Sequence, residues 1–403
     1  MRRCISILCL LIMVALCFLM ARISQELPGD PTALVAEKYA GWSGVLRLWI
    51  YEGWSCGAGS LSGWLNQCIA SFEKAHPGVY VQPKYVDAQA IRQLAESGIY
   101  PPDMVLFPTG LLEGWKSLQA LGEISGLRPE LSNAGQGYAA PVAMGAYAWV
   151  YNRDLLDKLP ADWSEIDVPI GSPEDGDFAS YSGALLALCS DLSSPEAQEM
   201  ELALPGLDLG LPTGEPTAAP TALPSPADGL PCRLPEGFSA SQSAYTDFVN
   251  GDLAAIPVTQ RELQRLSTLS ESGKGPHWAV SIPGEWTFVD QILYLGIVAR
   301  DPEAPDGRQE ICEQFLAFLL TEDCQKNLAS SGAFPTISLE GIYAQHSAYA
   351  SLEAALAQKK LIVPAAFGNA WREDARILLE RFAQGAVSAR EGLTLLRAKC
   401  ASS

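Results

Sequence analysis

The sequence predicts an α/β protein built on parallel sheets. Three observations carry that expectation. Between residues 45 and 107, apolar strand-like runs alternate with helical patterns, the rhythm of right-handed βαβ units. The chain has 403 residues, 48% of them hydrophobic and 9% aromatic, which is enough for about two or three cores and too apolar for disorder. Only 18% of the residues are charged, and the 27 basic against 46 acidic side chains leave a net charge of −19. That balance excludes a dedicated nucleic-acid binder and a polybasic hold on anionic lipid, both of which need clustered cations.

Residues 1–22 set the compartment. Arg2 and Arg3 precede an uncharged apolar run of 18 residues, Cys4 to Ala21, and Arg22 follows. The run is intermediate between a long signal-peptide core and a short membrane span. Paired arginines at its start place everything after Arg22 outside the cytoplasm. Leu16 before Cys17 is too bulky for a good lipoprotein site, so an uncleaved anchor or atypical signal is expected. Residues 23–43 read as a polar spacer.

The body opens with a strand over 45–51. A Gly-containing turn leads into a helix over 61–75, which His76-Pro77-Gly78 stops, because proline cannot continue it. A strand over 79–85, a helix over 90–97 and a strand over 104–107 follow. Residues 138–152 read as one extended stretch and 154–159 as a short helix. Eight prolines in 205–235 mark an exposed loop without periodicity. Order resumes with a helix at 245–250, a strand at 253–258 and a helix at 261–269. A strand over 290–299 leads to a helix over 308–320, and helices close the chain at 352–358, 370–384 and 390–399.

Little here points to catalysis. The three histidines include His76 and His277, both beside a proline, and no G-x-S-x-G elbow or H-E-x-x-H motif occurs. Carboxylates are plentiful, and a pair such as Glu52 and Asp103, at neighbouring strand ends, would suit a glycan-active enzyme if they lie about 5–9.5 Å apart. Gly57, Gly59 and Gly63 miss the dinucleotide fingerprint by one position. Seven cysteines follow the apolar run, with no C-x-x-C, so no metal site and no cofactor are expected. Cys189 and Cys232 bracket the irregular stretch and are the expected disulfide. Cys312 and Cys324, expected on one helix, are too far apart to bond.

Several segments, in order, share the pattern of a known family. They are Trp64 to Val81 (WLNQCIASFEKAHPGVYV), Pro102 to Phe107 (PDMVLF), and Pro141 through Leu156 with Trp163 to Ile166 (WSEI). Gly251 to Ile256 (GDLAAI) with Arg261 follows, and then Phe315 to Lys326 (FLAFLLTEDCQK) with Gly332 to Pro335 (GAFP). Together they resemble the extracellular solute-binding proteins of ABC importers, group 1, the maltose- and oligosaccharide-binding-like type. The resemblance implies a two-lobed periplasmic-binding-protein fold (Venus flytrap, type II) with a hinge and an interlobe cleft. Lobe 1 would be 44–143 with 284–328. Lobe 2 would be 144–283 with 329–403, the Pro-rich loop being an insertion.

It also implies a function without catalysis: capture of a carbohydrate-like solute by lobe closure and delivery to a membrane permease, by a monomer. The rivals are a binding-protein-like sensor or interaction subunit and, less favoured, a glycan-active enzyme. Sugars are held by aromatic faces and by polar groups on their hydroxyls. The residues placed for this are Glu52 and Trp54 after the first strand, Phe107 and Thr109 after the third, Tyr147 at the crossing, and Glu285 and Trp286 at the return. Arg261 stands where many relatives place an aromatic, and its guanidinium favours an acidic ligand.

Overall fold

The structure, a computed structural model, describes residues 42–56, 59–94, 101–159, 171–173, 239–241, 243–282, 284–300 and 307–402. The first half supplies β1 (Gly44–Ile50), α1 (Leu61–Ala75), β2 (Val79–Tyr85), α2 (Ala88–Arg92), β3 (Met104–Pro108), β4 (Ala140–Met144) and β5 (Tyr147–Asn152). Next come β6 (Gly171–Pro173), β7 (Ser239–Ser241), α3 (Ala244–Asn250), β8 (Ala255–Thr259), α4 (Gln260–Glu271) and β9 (Trp278–Ser281). The remainder is β10 (Trp286–Phe288), β11 (Ile292–Ile297), α5 (Arg308–Leu319), α6 (Glu322–Lys326), α7 (Ser347–Ala357), β12 (Lys360–Ile362), α8 (Ala370–Ala383) and α9 (Ala389–Ser402).

A five-stranded sheet has the order β2-β1-β3-β11-β4, with β1 parallel to both β2 and β3 and β11 antiparallel to both its neighbours. A three-stranded sheet has the order β8-β5-β9, and β10 pairs with β12. The first βαβ unit forms as its pattern requires. Ser60 caps α1 by accepting from the Gly63 N–H at 3.0 Å, and the inner face of α1 buries Trp64, Leu65, Cys68 and Phe72 against β1 and α5. His76 ends the helix, its backbone N–H donating to the Phe72 carbonyl at 2.9 Å and its ring stacking on Phe72.

Four readings change. The single extended stretch at 138–152 is two strands in two sheets. At the break, the Gly145 N–H donates to the Gln291 carbonyl at 2.6 Å and the Ala146 N–H to the Gln260 side chain at 2.9 Å, so neither amide continues a ladder. Residues 154–159 are a turn and not a helix, because the Asn152 carboxamide accepts the Asp154 N–H at 2.9 Å and its carbonyl takes the Leu155 and Leu156 amides. Cys312 and Cys324 lie on separate helices, since α5 ends at Leu319 and α6 begins at Glu322. The short strands β9, β10 and β12 carry no periodic signal and were not expected.

After the return to β11, a further crossing lies beside the first. Met144 and Phe334 exchange both backbone hydrogen bonds, at 3.1 and 2.7 Å. Fully buried Gln325 secures this crossing: its Nε2 donates to the carbonyls of Val142 and Leu319, and its Oε1 accepts the Thr336 N–H, each at 2.9 Å.

The expected membrane segment 1–22, the Pro-rich loop 205–235 and the Cys189–Cys232 bond lie outside the described residues. Among the described residues, no helix is long and apolar enough to cross a membrane.

At the amino end of β3, Asp103 is 1% exposed, accepts the Arg47 N–H at 2.7 Å and pairs with Arg300 and, at 3.2 Å, Arg308. Asp103→Ala removes the buried carboxylate that pairs with two partly buried guanidiniums, whose residual solvent contact discounts the cost. The expected loss is about 2–4 kcal/mol in urea unfolding; a loss within about 0.5 kcal/mol, as for a neutral surface change, would contradict this role.

Candidate functional site

The carboxyl ends of β1, β3 and β8 converge on a cavity of about 590 Å³. Strand ends in α/β sheets direct the following loops into one crevice, where ligands bind. From the first sheet come Tyr51 and Trp54 after β1, Arg92 at the end of α2, and Thr109 after β3. Other segments supply Tyr147 at the start of β5, Arg261 in the first turn of α4, Asp290 before β11, and Asn369 and Arg372 at the start of α8.

Local chemistry aims each group. Gly53 turns the chain after β1 at φ +75°, and a Cβ there would collide with the Pro108 ring, so glycine is required where Trp54 enters the cleft. The Trp54 indole nitrogen is buried without a hydrogen-bond partner. Thr109 is 2% exposed, and its N–H and hydroxyl both donate to the Ile292 carbonyl, at 3.1 and 3.4 Å. It therefore fixes the rim and spends its donors there.

Beneath these groups lies Gln260, which is fully buried. Its Nε2 donates to Gln291 Oε1 at 2.8 Å and to the Ser55 carbonyl at 3.2 Å, while its Oε1 accepts the Ala146 N–H at 2.9 Å. One carboxamide thus joins the loop after β1, the first crossing and the return to β11. Tyr349 donates to its backbone carbonyl at 2.8 Å.

The cleft is lined by three guanidiniums, Arg92, Arg261 and Arg372, and by two carboxylates with internal roles. Glu262 closes the capping box of α4, accepting the Thr259 N–H at 3.0 Å. Asp290 accepts the Tyr147 phenol at 2.8 Å. Arg261 is exposed in the first turn of α4, where the helix dipole disfavours a cation. Arg372 lies over the Trp371 ring, 5.3 Å from its centre.

Of the eight residues singled out in the sequence, the structure places Trp54, Thr109, Tyr147 and Arg261 around this cavity. Glu52 turns to the start of α1, where it accepts the Ser62 N–H; burial raises its carboxyl above the usual range and that bond partly offsets the effect. Phe107 is a core residue with no exposure, packed between Tyr294 and Phe367 at 6.0 and 5.9 Å, because its strand is buried on both faces. Glu285 pairs with Lys360 at 2.5 Å, and Trp286 lies under Lys360 and Arg397, 5.1 and 4.1 Å from its ring centre, because β10 docks on β12 away from the cleft.

Tyr51, Arg92, Gln260, Asp290, Gln291, Asn369 and Arg372 were not anticipated. None sits in a motif; Gln260 alone had a signal, between the expected strand at 253–258 and the expected helix at 261–269. The carboxylate pair of a glycan-active enzyme is absent at Glu52 and Asp103. Asp103 adjoins Met104, which is in register with Leu48, so about five residues of strand, roughly 16 Å, separate it from Glu52.

Two sheets joined by crossings of the chain, with a polar cleft at their strand ends, define a two-lobed α/β architecture. Residues 58–178 match the family described as bacterial extracellular solute-binding protein. No curated protein sequence matches the chain. In fold, the chain is similar to the GacH receptor of Streptomyces glaucescens, described unliganded and with acarbose, at 14% identity and a TM-score of 0.50 over 89% of this chain and 97% of that one. A substrate-binding protein of Listeria monocytogenes in complex with cycloalternan matches at 13% identity and a TM-score of 0.49, over 89% and 98%. The chain thus resembles bacterial extracellular solute-binding proteins, in sequence over that stretch and in fold over most of its length, as its motifs indicated.

Gln260→Leu should leave the buried Ala146 amide without its partner and remove the part-buried contacts to the Ser55 carbonyl and Gln291 Oε1. We expect a loss of about 2–4 kcal/mol in urea unfolding, against about 0.5 kcal/mol or less for exposed Arg261→Ala. Equal small losses in both variants would remove Gln260 from its place as the joint.

Proposed function

We propose that the chain is the extracytoplasmic substrate-binding subunit of an ABC transporter, capturing a carbohydrate-like solute by lobe closure and passing it to a membrane permease as a monomer. The observation that carries the reading is the cleft: half-buried Tyr51 and Trp54 line a cavity of about 590 Å³ together with hydrogen-bonding groups. Aromatic faces suit sugar C–H patches, and the polar rim suits hydroxyls. The fold shared with a receptor described with acarbose supports the same ligand class. Closure is a population shift between open and closed lobes.

The lobes we propose are 44–143 with 284–328, and 144–283 with 329–403, bridged where β10 pairs with β12. The apolar run in 1–22 would tether the body to the membrane, with 23–43 as the spacer. The cleft's three guanidiniums outnumber its two carboxylates, which favours a solute that carries an acidic group, such as a uronic-acid-containing saccharide.

The test is a thermal-shift screen of the full chain against neutral oligosaccharides, uronic-acid oligosaccharides and sugar phosphates. Binding to the native state at a hundredfold excess over Kd adds about 2.7 kcal/mol of apparent stability. An acidic saccharide should raise the melting temperature, and Arg261→Ala should weaken its binding about 10- to 100-fold, the worth of a charge-assisted hydrogen bond. Unchanged affinity in that variant would overturn the acidic preference, and no shift with any saccharide would overturn solute capture.

A further inference from the structure

Five cysteines lie among the described residues, all buried, and two of them meet. Cys68 lies on the inner face of α1, four residues beyond Trp64, and residues so spaced stand one above the other on a helix. The Trp64 indole N–H donates to the Cys324 carbonyl at 2.8 Å, which seats α6 against that face. The two thiols are in hydrogen-bonding contact within one apolar cluster, Cys68 1% and Cys324 3% exposed.

We propose that Cys68 and Cys324 form a structural disulfide as the protein folds outside the cytoplasm. The inference rests on the extracytoplasmic location in the proposed function, because oxidising compartments favour the bond and the cytosol keeps thiols reduced. Each thiol loses one proton and one electron and the two sulfurs join. The electrons reduce a disulfide oxidant, protein or small molecule, to two thiols by exchange through a mixed disulfide. Burial of both sulfurs confines the oxidation to folding.

The bond would join the two distant chain segments that build the five-stranded sheet. Its placement ties the helix following the Trp54 loop to the helix whose Gln325 secures the crossing. A rigid first lobe, against which the second can close, is the consequence.

The test is peptide mapping without reductant, after alkylation of free thiols, on full chain folded from urea in a glutathione redox buffer and on full chain isolated from the producing cells. The tryptic peptides 48–74 and 309–326 also contain Cys56 and Cys312, so the mapping uses Cys56→Ala with Cys312→Ala. The expected product is the two peptides joined, two hydrogens lighter than their sum and separated by reductant. Reduction should lower the melting temperature by about 5 °C or more, and Cys68→Ala with Cys324→Ala should abolish that sensitivity. Complete alkylation of both thiols in the glutathione-folded chain overturns the pairing, as does a Cys68 or Cys324 link to any other cysteine. Protease accessibility on intact cells reads the location separately, so a mislocated chain is distinguished from an unpaired one.

Discussion

The cleft depends on one buried carboxamide. Gln260 is the first residue of α4, and its side chain holds three segments that come from different parts of the chain: Ser55, Ala146 and Gln291. The buried Ala146 amide would be costly without a partner, and the part-buried contacts to Ser55 and Gln291 set the other two segments relative to it. Room for the amide exists because residue 145 is glycine; a Cβ there would meet the side chains of Gln291 and Gln260. The capping box of Thr259 and Glu262 fixes the start of α4, and so aims Gln260 inward and Arg261 outward.

Charge is distributed against the overall balance. A chain of net −19 lines its cleft with three guanidiniums, one of them in the first turn of a helix, where the dipole opposes it. Local rules broken in this way mark functional positions more often than structural ones. Over distances beyond about 8–10 Å salt screens the acidic surface, whereas the cleft's low-dielectric walls keep its cations effective at close range.

Much of the first lobe was legible because it folds locally. The helix over 61–75 and the strand over 79–85 match their expected bounds, since amphipathic spacing, the His76-Pro77-Gly78 stop and strand alternation all act within a few residues. The break at Gly145 was not legible, because it is made by partners more than 100 residues away in sequence, Gln260 and Gln291. The strands β10 and β12 are three residues each and exist through their pairing alone. Phe107 was misread for a similar reason. An aromatic at a strand's end has two faces to choose from, and here the Tyr294 and Phe367 rings claim it for the core.

Composition and periodicity were sufficient for the α/β class, the acidic character and the order of the family-like segments, because each is a property of residue types or of near neighbours. Which polar groups face one another was decided only by folding. Arg92, Asp290, Asn369 and Arg372 share a cavity because three strand ends and the start of α8 converge, and sequence distance carries no record of that convergence. The same holds for Cys68 and Cys324, which a sequence reading assigns to unrelated helices and the packing of α6 beneath α1 brings into contact.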